Sequence, residues 1–347
     1  MVRAAKSFAW LVAYSLGFSS PLVFAAEPPA AEKPAAEKHA LAEARDVRKV
    51  YGDGNHNAFT ALAKWRDSYW LAFRTGKEHN SADGDIIVLN SADGKTWREA
   101  TRINAAPDDR DPQFLVTADK LRLYDPSLKG QQLTTYCVST TDGHTWTKPL
   151  PVYLPQFILW KPVEFGGKFY AAAHKRDDTD AGKKREVHLI ESTDGLMWNK
   201  VSTIRAGNWE SETTLHFEPG GHLVAYLRQK YGGPPAQILE SDPPYSTWTA
   251  RASDVNHLSG HCMASIGGVN YLLSRTMDYD ARPRTMSTMI YCCTGTKLEP
   301  YCDLRTAGDC SYAGAVPFGE NDMLVSFYSS HEGSTNIYTA VVPLKKK

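Results

Sequence analysis

The chain has 347 residues, with 39 basic and 39 acidic side chains that balance to a formal net charge of 0. No basic stripe suits a nucleic acid and no charge block suits an anionic membrane surface, so neither partner is expected. The length allows one large all-β domain or two small ones.

Arg3 and Lys6 precede an apolar run from Phe8 to Phe24, and Val23-Phe24-Ala25 resembles a cleavage site. This pattern predicts a secretory signal peptide over residues 1–26 and export to the periplasm or the outside. The run is short and interrupted for a membrane span, so no integral membrane domain is expected; an uncleaved N-terminal anchor is the competing reading. Residues 27–45 are almost all Ala, Pro, Glu and Lys and read as a spacer with little to bury. The folded domain is placed at 46–347.

An internal repeat follows. SADGKTW ends at Trp97, TTDGHTW at Trp146, STDGLMW at Trp198, and a worn copy, SDPPYSTW, at Trp248. The tryptophans are 49, 52 and 50 residues apart. In each turn the Ser or Thr and the Asp can bond the local backbone, and Gly supplies a positive φ. Asp93, Asp142 and Asp194 are therefore scaffold residues rather than reactive ones.

Each box follows an apolar strand (Ile86–Leu89, Thr134–Val138, Val187–Ile190), and two more strands lie upstream. Four strands per unit of about 50 residues make a propeller blade. Blade 5 runs from about Cys262 to Leu304, with Thr294-Gly295-Thr296 in place of its box. Blade 6 offers three strands, and Asp46–Tyr51 can supply the fourth. The expectation is an all-β, six-bladed β-propeller with Asp-box turns, closed by an N-terminal strand; a five-bladed ring is the lesser option.

Six cysteines in an exported chain can form disulfides, but their spacing leaves the pairing open. No spacing suits a metal, and HEGST at His331 lacks the second His of a zinc-binding HExxH. No cofactor is expected.

In a propeller the start of each innermost strand and the end of its neighbour ring one mouth. These positions include His56, Arg74, Arg110, Asp111, Asp125, Trp160, Lys161, His174, Glu212, Arg228, His261, Arg275, Tyr312 and His331, with Arg282 and Arg284 in the next loop of blade 5. Arginines converging with Glu, Asp and Tyr suit an anionic ligand.

SETTLHFEPGGHLVAYLR and CSYAGAVPFGENDMLVSFYSS carry a further signal: with the Asp boxes, the chain resembles the sialidase (neuraminidase) superfamily over nearly the whole mature domain. The resemblance implies an exo-glycosidase that removes a terminal sialic acid or similar acidic sugar with retention, acting on a glycan or glycoconjugate. Tyr312 would be the nucleophile, a known alternative to the two-carboxylate scheme, and Glu212 its base. Arg74, Arg110, Asp111, Arg228, Arg275, Arg282 and Arg284 would hold the substrate. The general acid is sought after Arg74, with Asp83 preferred over Asp85 and His79. The family's Phe-Arg-Ile-Pro motif is replaced by Asn57-Ala58-Phe59-Thr60, so its arginine is absent and Arg74 and Arg110 are the candidates to replace it. Two other readings remain: β-elimination on a uronate-bearing glycan by Arg228, Tyr312, His261 and His331, or a non-catalytic carbohydrate-binding propeller.

Overall fold

Strands buried on both faces explain the ring. In the blade 1 strand Ser68–Gly76, Trp70 and Ala72 join a cluster with Leu121, Leu123 and Val138 of the next blade. Leu71 and Phe73, one residue out of phase, pack instead with Tyr328 and Ile337 of the last blade. A two-residue side-chain period thus sends alternate residues to opposite neighbours, which is why these strands read as unbroken apolar runs.

The computed structural model describes residues 40–176, 185–207, 209–229, 235–278, 285–294 and 297–346. They contain no helix, and their strands form six sheets. Blade 1 is His56–Trp65, Ser68–Gly76, Asp85–Ser91 and Arg98–Ile103, and each later blade repeats this antiparallel order. Blade 6 takes Cys310–Phe318, Asp322–Ser329 and Asn336–Pro343 from the chain's end, and Arg45–Tyr51 pairs with Asn336–Pro343 as its fourth strand. The expected closure by the N-terminal strand is therefore present, and the five-bladed option falls. Hydrophobic clusters fill all six joints between blades. The signal peptide and most of the spacer lie outside the described residues.

The turns that lead to Trp97, Trp146 and Trp198 share one hydrogen-bond pattern. Asp93 Oδ1 accepts the amides of Lys95 and Thr96 at 2.8 and 2.7 Å, while Ser91 Oγ accepts that of Gly94 at 2.9 Å. Asp142 and Asp194 repeat this pattern. These amides hold the carboxylates of Asp93 and Asp142 well below their ordinary range. Gly94 has φ +69°, and a Cβ there would meet the Phe318 ring of blade 6 at 2.9 Å. The motif is thus a joint between blades as well as a turn. All six cysteines are free thiols.

Candidate active site

Five of the six innermost strands, all but that of blade 5, carry a defect that re-aims side chains. The pairing register slips between Ala58 and Ala61 in blade 1, Trp160 and Val163 in blade 3, Glu210 and Thr213 in blade 4, and Ser311 and Gly314 in blade 6. In blade 2 the inner strand is broken into Asp108–Asp109 and Gln113–Val116. Phe59, Asp111, Lys161 and Tyr312 sit at these breaks with φ of 61°, 37°, 41° and 46°. A β-bulge re-aims the residue it carries, and non-glycine residues held at positive φ cluster where function demands it.

Two of these breaks bring Tyr312 and Glu212 together. The Tyr312 hydroxyl donates to Glu212 Oε1 at 2.7 Å, across 100 residues of sequence. Arg228 Nη1 donates to both Glu212 oxygens at 2.6 Å. All three side chains are buried. Burial alone would raise the Glu212 carboxyl, but the Arg228 charge and hydrogen bonds outweigh it and hold Glu212 well below the carboxylate range. Burial and then the Glu212 charge push the Tyr312 phenol well above 10, against the pull of Arg228 and Arg275. The resting state is therefore a neutral tyrosine bonded to an ionised glutamate.

The phenol ring is fixed by its neighbours. Phe59 and Trp160 meet it edge-on, with centroids 4.9 and 5.8 Å away. The Arg275 guanidinium carbon lies 5.4 Å from the ring centroid. Gly260, at φ +56°, leaves no room for a side chain, since a Cβ there would lie 2.6 Å from the Tyr312 Cγ. Sequence reading did not single out Phe59 or Gly260, because their roles depend on a bulge and a close approach that no local motif announces.

An open cavity of about 460 Å³ adjoins this group, lined by Glu212 and Arg228 with Arg110, Asp111, Trp160, His174, Arg176, Arg185, Asn80 and Ser211 among others. Four arginines thus face two carboxylates, one of which Arg228 already neutralises. Arg110 also donates to Asp108 Oδ2 at 3.2 Å and to the His79 carbonyl at 3.0 Å. Burial raises the Asp111 carboxyl, and nearby Glu212 raises it further against Arg110. Burial lowers His174 to about 4, so this imidazole is neutral near pH 7. Arg176 and Arg185 had no signal in the sequence beyond their place at the ends of neighbouring strands.

Several expected residues are elsewhere. Arg74 is fully buried, with Nε and Nη2 on Asp108 Oδ1 at 3.0 and 2.9 Å and Nη1 on the Glu78 carbonyl at 3.0 Å. It ties its loop to blade 2 and is not a substrate ligand. Asp83, expected as the acid, instead accepts the Lys77 amide at 3.2 Å within its own loop, and it does not line the cavity. Arg275 donates to the Cys310 carbonyl, Tyr328 and Asp309, with its guanidinium against the Tyr312 ring, and it does not line the cavity. His331 lies against Ser329 and Tyr338, away from the cavity lining. Arg282 and Arg284 lie outside the described residues.

Asp125, expected at the mouth, is fully buried beside Asp109, which accepts from Ser127 at 2.6 Å. Burial pushes Asp109 up to about 6, and burial with the Asp109 charge pushes Asp125 well above its ordinary value. The folded state then holds a proton that the unfolded chain releases near pH 4. This contribution is complete below that value and is lost as pH rises through about 6. Asp125→Asn, which keeps a donor without a charge, should raise stability at pH 8 by about 1–3 kcal/mol and leave it nearly unchanged at pH 4. Urea unfolding midpoints at the two pH values measure this difference.

No protein-family model and no curated protein matches the chain. Solved structures do. A protein of unknown function from Dyadobacter fermentans superposes with TM-score 0.73 at 21% identity, over 86% of this chain and 99% of that one. Trypanosoma rangeli sialidase gives TM-score 0.64 at 13% identity over 83% of this chain, which spans about half the length of that enzyme (55%). A Penicillium chrysogenum α-L-arabinanase complexed with arabinobiose gives 0.60 at 12%, over 87% and 99%. Likeness at such identities is one of fold: the chain shares the six-bladed β-propeller of these structures.

Proposed function

We propose that the protein is a retaining exo-glycosidase for a terminal acidic sugar of the sialic acid class, with Tyr312 as nucleophile. The observation that carries this reading is the 2.7 Å bond from the Tyr312 hydroxyl to Glu212, in a buried site beside Arg228. A sugar with a carboxylate on its anomeric carbon repels an anionic nucleophile, and a neutral phenol avoids that repulsion. The arginines that line the cavity bring guanidinium groups, the side chains best matched to a carboxylate, to where such a sugar would lie.

The Tyr312 oxygen attacks the anomeric carbon while its proton passes to Glu212, and the glycosidic C–O bond breaks. Asp111, its carboxyl raised by burial and by Glu212, gives a proton to the leaving oxygen. Water then attacks the anomeric carbon, giving its proton to Asp111, and Glu212 returns the proton to the departing phenolate. Proton transfer from Tyr312 to Glu212 is uphill at rest, so it must accompany bond formation. The four-arginine cavity favours an acidic sugar over a neutral pentose. Of the side chains the β-elimination reading invokes as bases, His331 lies away from the cavity lining and His261 is buried (Nδ1 2.7 Å from Thr214 Oγ1), which leaves Tyr312, whose proton is already directed at Glu212.

The direct test is release of methylumbelliferone from its α-sialoside, with a fluorinated sialosyl fluoride to trap the intermediate. Peptide mapping should find the label on Tyr312. A folded sample that neither releases the fluorophore nor takes up label overturns the proposal. Asp111→Asn should slow hydrolysis of sialyllactose by about 10²–10⁴-fold. It should slow release of the aryl group in the first turnover far less, because that leaving group departs without a proton, whereas the second step, in which Asp111 takes the proton of water, slows for both substrates. Asp83→Ala should leave both rates within about twofold of the parent protein, as a residue outside the reacting centre does.

A further inference from the structure

We propose that His56, His79 and Asp309 form a binding site for a divalent first-row transition metal, zinc or a close neighbour, on the rim beside Tyr312. The three side chains come from separate segments: the start of blade 1, the loop after its second strand, and the entry to blade 6. Their ligand atoms nonetheless lie within 4.8 Å of one another. His56 Nε2 is 2.9 Å and His79 Nδ1 2.7 Å from the same oxygen, Asp309 Oδ2. This wide separation in sequence is why no ligand spacing could be read there.

Two imidazoles and one carboxylate make a donor set suited to zinc, nickel, cobalt or iron, whereas magnesium and calcium prefer oxygen ligands throughout. Bonds of about 2.0–2.2 Å to a tetrahedral ion would require the imidazoles to draw back from Asp309 by roughly half an ångström. His79 has room to do so, since its side chain is 43% exposed. The second oxygen of Asp309 is already oriented, accepting Arg275 Nη2 at 3.0 Å and the Tyr328 hydroxyl at 2.9 Å. Such outer bonds aim a ligating carboxylate. They also set a limit, because the Arg275 cation weakens the attraction for a second cation and makes a moderate affinity the expectation. The half-exposed rim leaves a coordination position open to water or to a substrate oxygen. His79 meets Phe59 edge-on at 5.2 Å, and Phe59 meets Tyr312, so one aromatic ring would separate a bound ion's ligands from the reacting phenol.

The test requires no substrate. Protein stripped with EDTA is titrated with zinc chloride by calorimetry and with cobalt chloride by absorption. One saturable equivalent is expected, with cobalt bands in the visible and no thiolate charge-transfer band, because the six free thiols are the competing ligands. His79→Ala, at a half-exposed position that folding does not need, should weaken binding by at least about tenfold. His331→Ala, outside the cluster, should leave it unchanged. Absence of saturable binding at millimolar metal, equal binding by His79→Ala, or a thiolate band would each overturn the site. The triad would then be a hydrogen-bonded network around Asp309. None of these outcomes bears on hydrolysis by Tyr312, so the two proposals stand or fall separately.

Discussion

Tyr312→Phe should lower turnover of an aryl sialoside by at least about three orders of magnitude, while the protein remains folded. The substitution removes one oxygen and leaves the ring that Phe59, Trp160 and Arg275 hold in place. Glu212 loses one donor but keeps both bonds from Arg228, so no buried charge is stranded. The cost in stability should therefore be within about 1.5 kcal/mol, the ordinary worth of one hydrogen bond. Turnover measured beside a thermal melt separates the two effects. Near-parental turnover by the variant would remove Tyr312 from the chemistry.

Arg228→Met carries the largest expected effect on stability. It leaves the Glu212 carboxylate buried without its cation, and breaking a buried pair on one side costs about 3–5 kcal/mol. The pH dependence follows from the sign of the shift. In the parent protein Glu212 is held below the usual range, so its contribution is complete above the unfolded value of about 4.3. That contribution fades as pH falls toward the depressed folded value. In the variant burial acts unopposed by Arg228, so Glu212 becomes easier to protonate and the deficit should narrow toward pH 4. Adding Glu212→Gln should recover part of the loss at pH 7, which a double-mutant cycle by urea unfolding would read as a coupling between the two sites. A deficit that is constant from pH 4 to 8 would mean the pair is not the cause.

The fold was legible because its signal is local. Each Asp box needs its hydroxyl, carboxylate and glycine within four positions to satisfy one turn, so the pattern survives in the sequence intact. Tyr312, Glu212 and Arg228 were legible through the segments that resemble sialidases, and the structure brings these three together. The remaining site residues depend on features that spacing does not encode. Arg74 occupies a strand end as the rule for the mouth requires, yet Asp108 and the carbonyls of its own loop consume its guanidinium. Asp83 and Asp111 differ in little but their surroundings: one bonds its own loop, and the other lies at a broken strand facing the cavity. Arg176 and Arg185 face the same cavity from blade 3, where nothing in the sequence set them apart from solvated strand ends.

The breaks in the innermost strands have a consequence for how such a protein diversifies. Regular pairing resumes within a few residues on either side of each slip, so a change at Phe59, Asp111, Lys161, Glu212 or Tyr312 need not propagate into the sheet below. Five of the six blades, all but blade 5, therefore present a side chain on a strand whose pairing stays regular below it. Exchange at such a position is felt by the side chains it touches, as Phe59 touches Tyr312 and Tyr312 touches Glu212, rather than by the sheets, so a ring of this kind can retune its mouth without refolding.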